Sequence, residues 1–136
     1  MNPIKEILAA RGPTMIRISS ILDYSNDLSQ VLKKFGLTPD RAALVAQDRA
    51  NAIAILTHLL WKGQAYDYEC MDSRKAAELA ERIISENEST DSRYFSNRTS
   101  ALSNSWNGLT DSTFDSGIVV SSEDGQYFCI WLEDED

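Results

Sequence analysis

His58 is the single histidine of a 136-residue chain, and Cys70 and Cys129 are its two cysteines. A Cys–His nucleophile or a zinc site needs these types gathered together, and zinc ligands recur at characteristic spacings. The spacing here fits no zinc pattern, so His58 reads as a helix histidine at the edge of an apolar stripe. Cys70 lies near Tyr66, Tyr68 and Met71, and Cys129 lies beside Phe128, Ile130 and Trp131. Such surroundings suit two buried thiols in a reducing compartment, with a disulfide left open as the alternative. No serine occupies a G-x-S-x-G elbow, and the glycines are single stops or turns rather than a phosphate-cradling loop. Asp111 and Asp115 flank Phe114 ahead of Gly117, loosely like a calcium loop, but the ligand spacing and terminal Glu are missing. The expectation is a protein that is not an enzyme, with no catalytic residues, no metal and no cofactor.

Charge is the stronger signal. The net charge of −8 is unevenly spread: up to Lys62 bases outnumber acids, and from Gly63 onward sixteen acids face five bases. After Arg98 there is no lysine or arginine, while Asp111, Asp115, Glu123, Asp124, Glu133, Asp134, Glu135 and Asp136 follow. Such an end repels phosphate backbones and attracts basic surfaces, so direct nucleic-acid binding is not expected. Aromatics set beside carboxylates are materials for a hot spot that faces Arg and Lys. The candidate partner-binding set is therefore Asp111, Asp115, Glu123, Asp124, Glu133, Asp134 and Glu135 as charge donors, with Tyr127 and Trp131 as anchors. Core packing is the competing role for both aromatics, more so for Trp131.

The length fits one domain spanning 1–136, large enough to bury a core without disulfide or metal. Asn2-Pro3 caps and starts a first helix that Gly12-Pro13 ends. Met15 to Leu22 carries both a strand pattern and a helix pattern, and the helical reading is preferred. Ser25 or Asn26 caps a short helix stopped by Gly36, and Thr38-Pro39 opens the longest helix, with Val45, Ala52, Leu56, Leu59 and Leu60 on its buried stripe. Gln64 to Met71 alternates as a strand or continues that helix. Asp72 or Ser73 caps the next helix, and 86–99 and 100–112 read as loops. Ile118-Val119-Val120 and Tyr127 to Leu132 then flank Asp124-Gly125, the favoured hairpin dipeptide. Both faces of the second run are apolar, so both should be covered. The expected class is α+β: a mainly helical N-terminal two thirds packed against a C-terminal antiparallel β-hairpin or small sheet.

Small size, acidity, the want of a catalytic set and the aromatic-acidic stretch Asp111 to Asp136 together resemble the bacterial immunity proteins that neutralise nuclease toxins. The resemblance implies a cytoplasmic antidote that blocks the basic surface of a cognate toxin. The alternative is a structural or regulatory domain that self-associates, as a homodimer, through its C-terminal hairpin. No apolar run is long enough for a membrane span, and no membrane role is expected.

Overall fold

A computed structural model describes residues 2–12, 16–65, 68–103 and 105–134. Among these, the chain runs α1 (Pro3–Arg11), β1 (Ile16–Leu22), α2 (Leu28–Lys34), a 3-10 turn (Arg41–Ala43), β2 (Val45–Gln47), α3 (Arg49–Trp61), α4 (Ser73–Ser85), β3 (Arg93–Ser96), β4 (Phe114–Ser121) and β5 (Gln126–Asp134). The class is α+β, but the expected division into a helical body and a terminal hairpin is corrected. The strands form one five-stranded sheet in the order β1-β5-β4-β3-β2, with every pairing antiparallel.

The two ends of α1 and the start of α4 follow their local signals. Asn2 accepts from the Ile4 N–H at 2.8 Å, Pro3 holds the first turn, and Asp72 accepts from the N–H groups of Arg74 and Lys75. Other elements depart from the sequence reading. Residues 16–22 form a strand, because pairing of Ile16 with Leu132 through to Leu22 with Gln126 settles a pattern that local periodicity leaves open. Asp27, rather than Ser25 or Asn26, caps α2 through the Ser29 N–H. The longest helices do not begin at Pro39. Asp48 caps α3 by accepting from the Asn51 N–H at 2.7 Å, and Val45, placed on that helix's buried stripe from sequence, lies exposed in β2. Of Gln64–Met71 only Glu69 joins a bridge, to Lys62, while Tyr66 and Asp67 lie outside the described residues. The loop expected over 86–99 contains β3.

The sheet is covered on both sides, as the doubly apolar run of β5 requires. On one face Phe128, Ile130 and Leu132 pack with Ile118 and Val120 against α1, α3 and α4. On the other, Tyr127, Cys129 and Trp131 pack with Val119 against Val31, Leu32, Phe35, Leu37 and Leu109. Trp131 fits because Gly117 lies opposite it: a Cβ there would come within 2.6 Å of the indole ring. At the far end of the hairpin Gly125 takes φ +81, and Tyr24 lies so close that a Cβ on Gly125 would meet its ring at 2.7 Å. Among the described residues no helix is long and apolar enough to cross a membrane.

Candidate functional site

β4 and β5 carry the acidic residues to opposite ends of a hairpin whose eight-residue first strand spans roughly 25 Å. The open end of the hairpin uses its carboxylates internally. Asp115 is buried, and its two oxygens accept from the Leu109 N–H (2.7 Å), the Thr110 N–H (3.1 Å), the Thr110 hydroxyl (2.7 Å) and the Trp131 indole N–H (2.8 Å). Asp134 is buried too, receiving both hydrogen bonds of the Arg11 Nη2 amino group (3.0 and 2.8 Å) and those of the Gln64 backbone and side chain. Glu133 pairs with the Arg17 guanidinium at 2.7 Å and accepts from the Ser112 hydroxyl. Its carboxyl is shifted below the usual range: burial pushes it upward, but the bonds from Arg17 and Ser112 outweigh that.

These positions revise the sequence-derived binding set. Asp115 and Asp134 are buried and held by internal donors, so neither is displayed to a partner, and Glu133 is half-buried in an ion pair. Tyr127 and Trp131 are buried, Trp131 completely, so neither can anchor a docking protein. Their alternation along β5 sends both rings into the second core, which is the packing role weighed against the anchoring one. Asp111, Glu123 and Asp124 are exposed, and Glu135 lies outside the described residues. The carboxylates therefore do not form one display. Asp111 stands near the open end, whereas Glu123 and Asp124 stand at the turn.

The turn end is the region that remains available. Leu22 is 55% exposed and Tyr24 76% exposed, both large apolar surfaces beside the Asp124-Gly125 turn. Tyr24 was not singled out from sequence; its place in the polar run Asp23-Tyr24-Ser25-Asn26 gives the available hint, since a turn aromatic has little core to enter. Asp23 makes the support rigid. Its carboxylate accepts from the Ser25 N–H and hydroxyl and pairs with Lys34 at 3.0 Å, bonds that pull its pKa down to about 2, with the Ser25 hydroxyl first among the causes.

A groove flanks this tip on each face of the sheet. The one on the helical face, about 550 Å³, is lined by Ser20, Leu22, Phe128, Glu86, Glu88 and Asp124 among others, with no lysine or arginine in its lining. Glu88 is occupied by Arg49 (2.9 Å) and the Tyr94 hydroxyl. Glu86 and Asp124 make no ion pair among the described residues. The groove on the opposite face, about 670 Å³, is mixed in sign, combining Asp23, Asp91 and Glu123 with Arg41 and Arg93.

The sulfur and imidazole groups are dispersed. His58 stacks edge-on against Trp61 with ring centroids 5.9 Å apart. Cys70, half-buried rather than fully buried, accepts from the Arg11 guanidinium at 2.7 Å. Cys129 lies in the second core, where burial pushes its thiol pKa upward. Both cysteines are free thiols. Among the described residues no group of three or more His, Cys, Asp or Glu side chains is placed to hold a metal ion.

The fold and this tip define a two-face-covered α+β domain with an acidic, aromatic-bearing end. Comparison with protein-family models, curated proteins and solved structures finds no match.

Proposed function

We propose that the chain is a non-enzymatic binding protein that docks a basic protein partner on its hairpin-tip end. The concrete form of this reading is a cytoplasmic bacterial immunity protein that blocks the basic surface of a nuclease-type toxin. The observation that carries it is the juxtaposition at the tip: exposed Tyr24 and Leu22 beside Glu123 and Asp124, on a turn braced by Asp23, Ser25 and Lys34. Carboxylates on an ordered turn keep their geometry on binding, so less conformational entropy is lost than on a loose tail. Tyr24 supplies a large amphipathic contact, and the charges steer a cationic partner toward it.

An antidote is encoded beside its toxin, so the neighbouring open reading frame supplies the partner to test. The purified pair should associate, with a rate that falls about tenfold or more between low and physiological salt. Tyr24→Ala should speed dissociation, and Glu123→Gln with Asp124→Asn should slow association. A pair that does not associate, or one whose binding ignores both salt and these substitutions, would refute the reading.

A further inference from the structure

The sheet has two edges, and they differ. β2 is three residues long, whereas β1 is seven residues long and, among the described residues, pairs only with β5. The Asp23 N–H bonds the Gly125 carbonyl at 2.8 Å, and the Ser122 N–H bonds the Gln126 carbonyl at 2.9 Å. By antiparallel alternation, Arg17, Ser19 and Ile21 then turn their main-chain groups toward β5, while Ile18, Ser20 and Leu22 turn theirs outward. The Leu22 carbonyl accepts from Lys34 Nζ at 3.4 Å, which agrees with that direction. The outward groups of Ile18 and Ser20 have no backbone partner among the described residues.

Exposed edges are usually blunted by lysine, proline, a bulge or brevity. β1 carries none of these in its own sequence, and Lys34 reaches it only at the Leu22 carbonyl, at its end. Its sequence is IRISSIL, its register with β5 runs unbroken from Ile16 to Leu22, and its one charge, Arg17, is folded back onto Glu133 and the Gly36 carbonyl. Ser19 and Ser20 at its centre are exposed. The strand runs directly into the acidic groove, whose lining includes Ser20, Ile21 and Leu22 together with Glu86 and Asp124.

We propose that β1 is a docking edge onto which an extended segment of a basic partner adds as an outer strand, with a lysine or arginine side chain seated in the groove lined by Glu86 and Asp124. This inference rests on the basic-partner reading above and specifies its binding mode. Main-chain bonding to Ile18 and Ser20 supplies affinity, and the groove selects the side chain: Leu22 and Phe128 offer apolar surface to the methylene stem, and Glu86 and Asp124, which make no ion pair among the described residues, offer carboxylates to the charge. A second copy of this chain fits less well, because its net charge of −8 opposes approach and the Arg17 of its own edge is already held by Glu133.

The probe is a synthetic peptide of alternating lysine and valine, compared with the same peptide N-methylated on alternate backbone nitrogens and with an alternating glutamate–valine peptide. Binding of the first should slow hydrogen exchange at the Ile18 and Ser20 amides. The N-methylated and glutamate peptides should each bind about tenfold more weakly or worse. Ser20→Pro removes an outward N–H while sparing the bonds to β5, a placement that edge strands tolerate, and should weaken binding by a similar factor. Glu86→Gln with Asp124→Asn should do the same in a salt-dependent manner. Equal binding of the N-methylated peptide by the unaltered protein would overturn strand addition even if Ser20→Pro failed to fold. Loss on neutralising Glu86 and Asp124, with no response to Ser20→Pro or N-methylation, would sink strand addition and leave the basic-partner reading standing. A dimer of the free protein that Ser20→Pro converts to monomer would assign the edge to a second copy and overturn the proposal.

Discussion

The two ends of the β4–β5 hairpin hold the same kind of side chain and use it in opposite ways. At the open end Asp115 and Asp134 are surrounded by donors from Leu109, Thr110, Trp131, Arg11 and Gln64. At the turn Glu123 and Asp124 meet solvent, next to an exposed tyrosine. An acidic residue in a sequence is thus a statement about charge, while its work is fixed by how many donors the fold brings to it. Buried carboxylates with full hydrogen bonding hold elements together, and only those left without partners can attract another molecule.

That contrast can be broken from its heavier side first. Asp115→Ala should cost about 3–5 kcal/mol in urea unfolding, since it strands the Leu109 and Thr110 amides and the Trp131 indole without an acceptor. A loss below about 1 kcal/mol would show that water or neighbouring groups replace it. Asp134→Ala should cost about 3 kcal/mol by leaving the Arg11 guanidinium buried and unpaired. The double change Arg11→Met with Asp134→Leu should recover most of that loss, because it removes both desolvated charges, and a double-mutant cycle reads the difference. Asp23 gives a smaller, pH-dependent effect. Its folded pKa of about 2 lies below the unfolded value, so the stabilisation is present above about pH 4 and drains away as the pH falls toward 2. The stability difference between the native chain and Asp23→Asn should therefore shrink across that interval, and a constant difference would contradict the assignment. The smallest effect on stability belongs to the turn: Glu123→Gln and Asp124→Asn should each change the unfolding free energy by less than about 0.5 kcal/mol.

Local chemistry was legible wherever it is settled within a few residues. The Asn2-Pro3 start, the Asp72 cap, the Gly36 stop and the Asp124-Gly125 turn all sit where their side chains and φ preferences place them. Ile16–Leu22 was not legible, because Ile18, Ile21 and Leu22 also fit a helix and only pairing with β5, more than a hundred residues on, decides the matter. The start of α3 was misplaced for a related reason. Thr38-Pro39 is a sound local cap, but the chain there enters a 3-10 turn and the edge strand β2 before Asp48 caps the helix.

The candidate site was legible only as charge. Nothing within ten residues of Asp134 announces Arg11, its partner at the other end of the chain, so burial of that carboxylate is a property of the whole fold. The rings of Tyr127 and Trp131 follow from strand alternation once β5 is known to be central rather than terminal. Neither strand of the hairpin is a free sheet edge, since β5 pairs with β1 and β4, and β4 with β3 and β5.

The most direct measurement compares two neutralised variants for their rate of association with the protein encoded by the neighbouring open reading frame, at low salt. One carries Glu86→Gln beside the groove with Glu123→Gln and Asp124→Asn at the turn; the other carries Asp111→Asn and Glu133→Gln at the open end. The turn variant should associate more slowly, by about tenfold or more, and the other should change little. Equal slowing by both, or slowing by the open-end variant alone, would contradict the assignment of the docking surface to the hairpin tip.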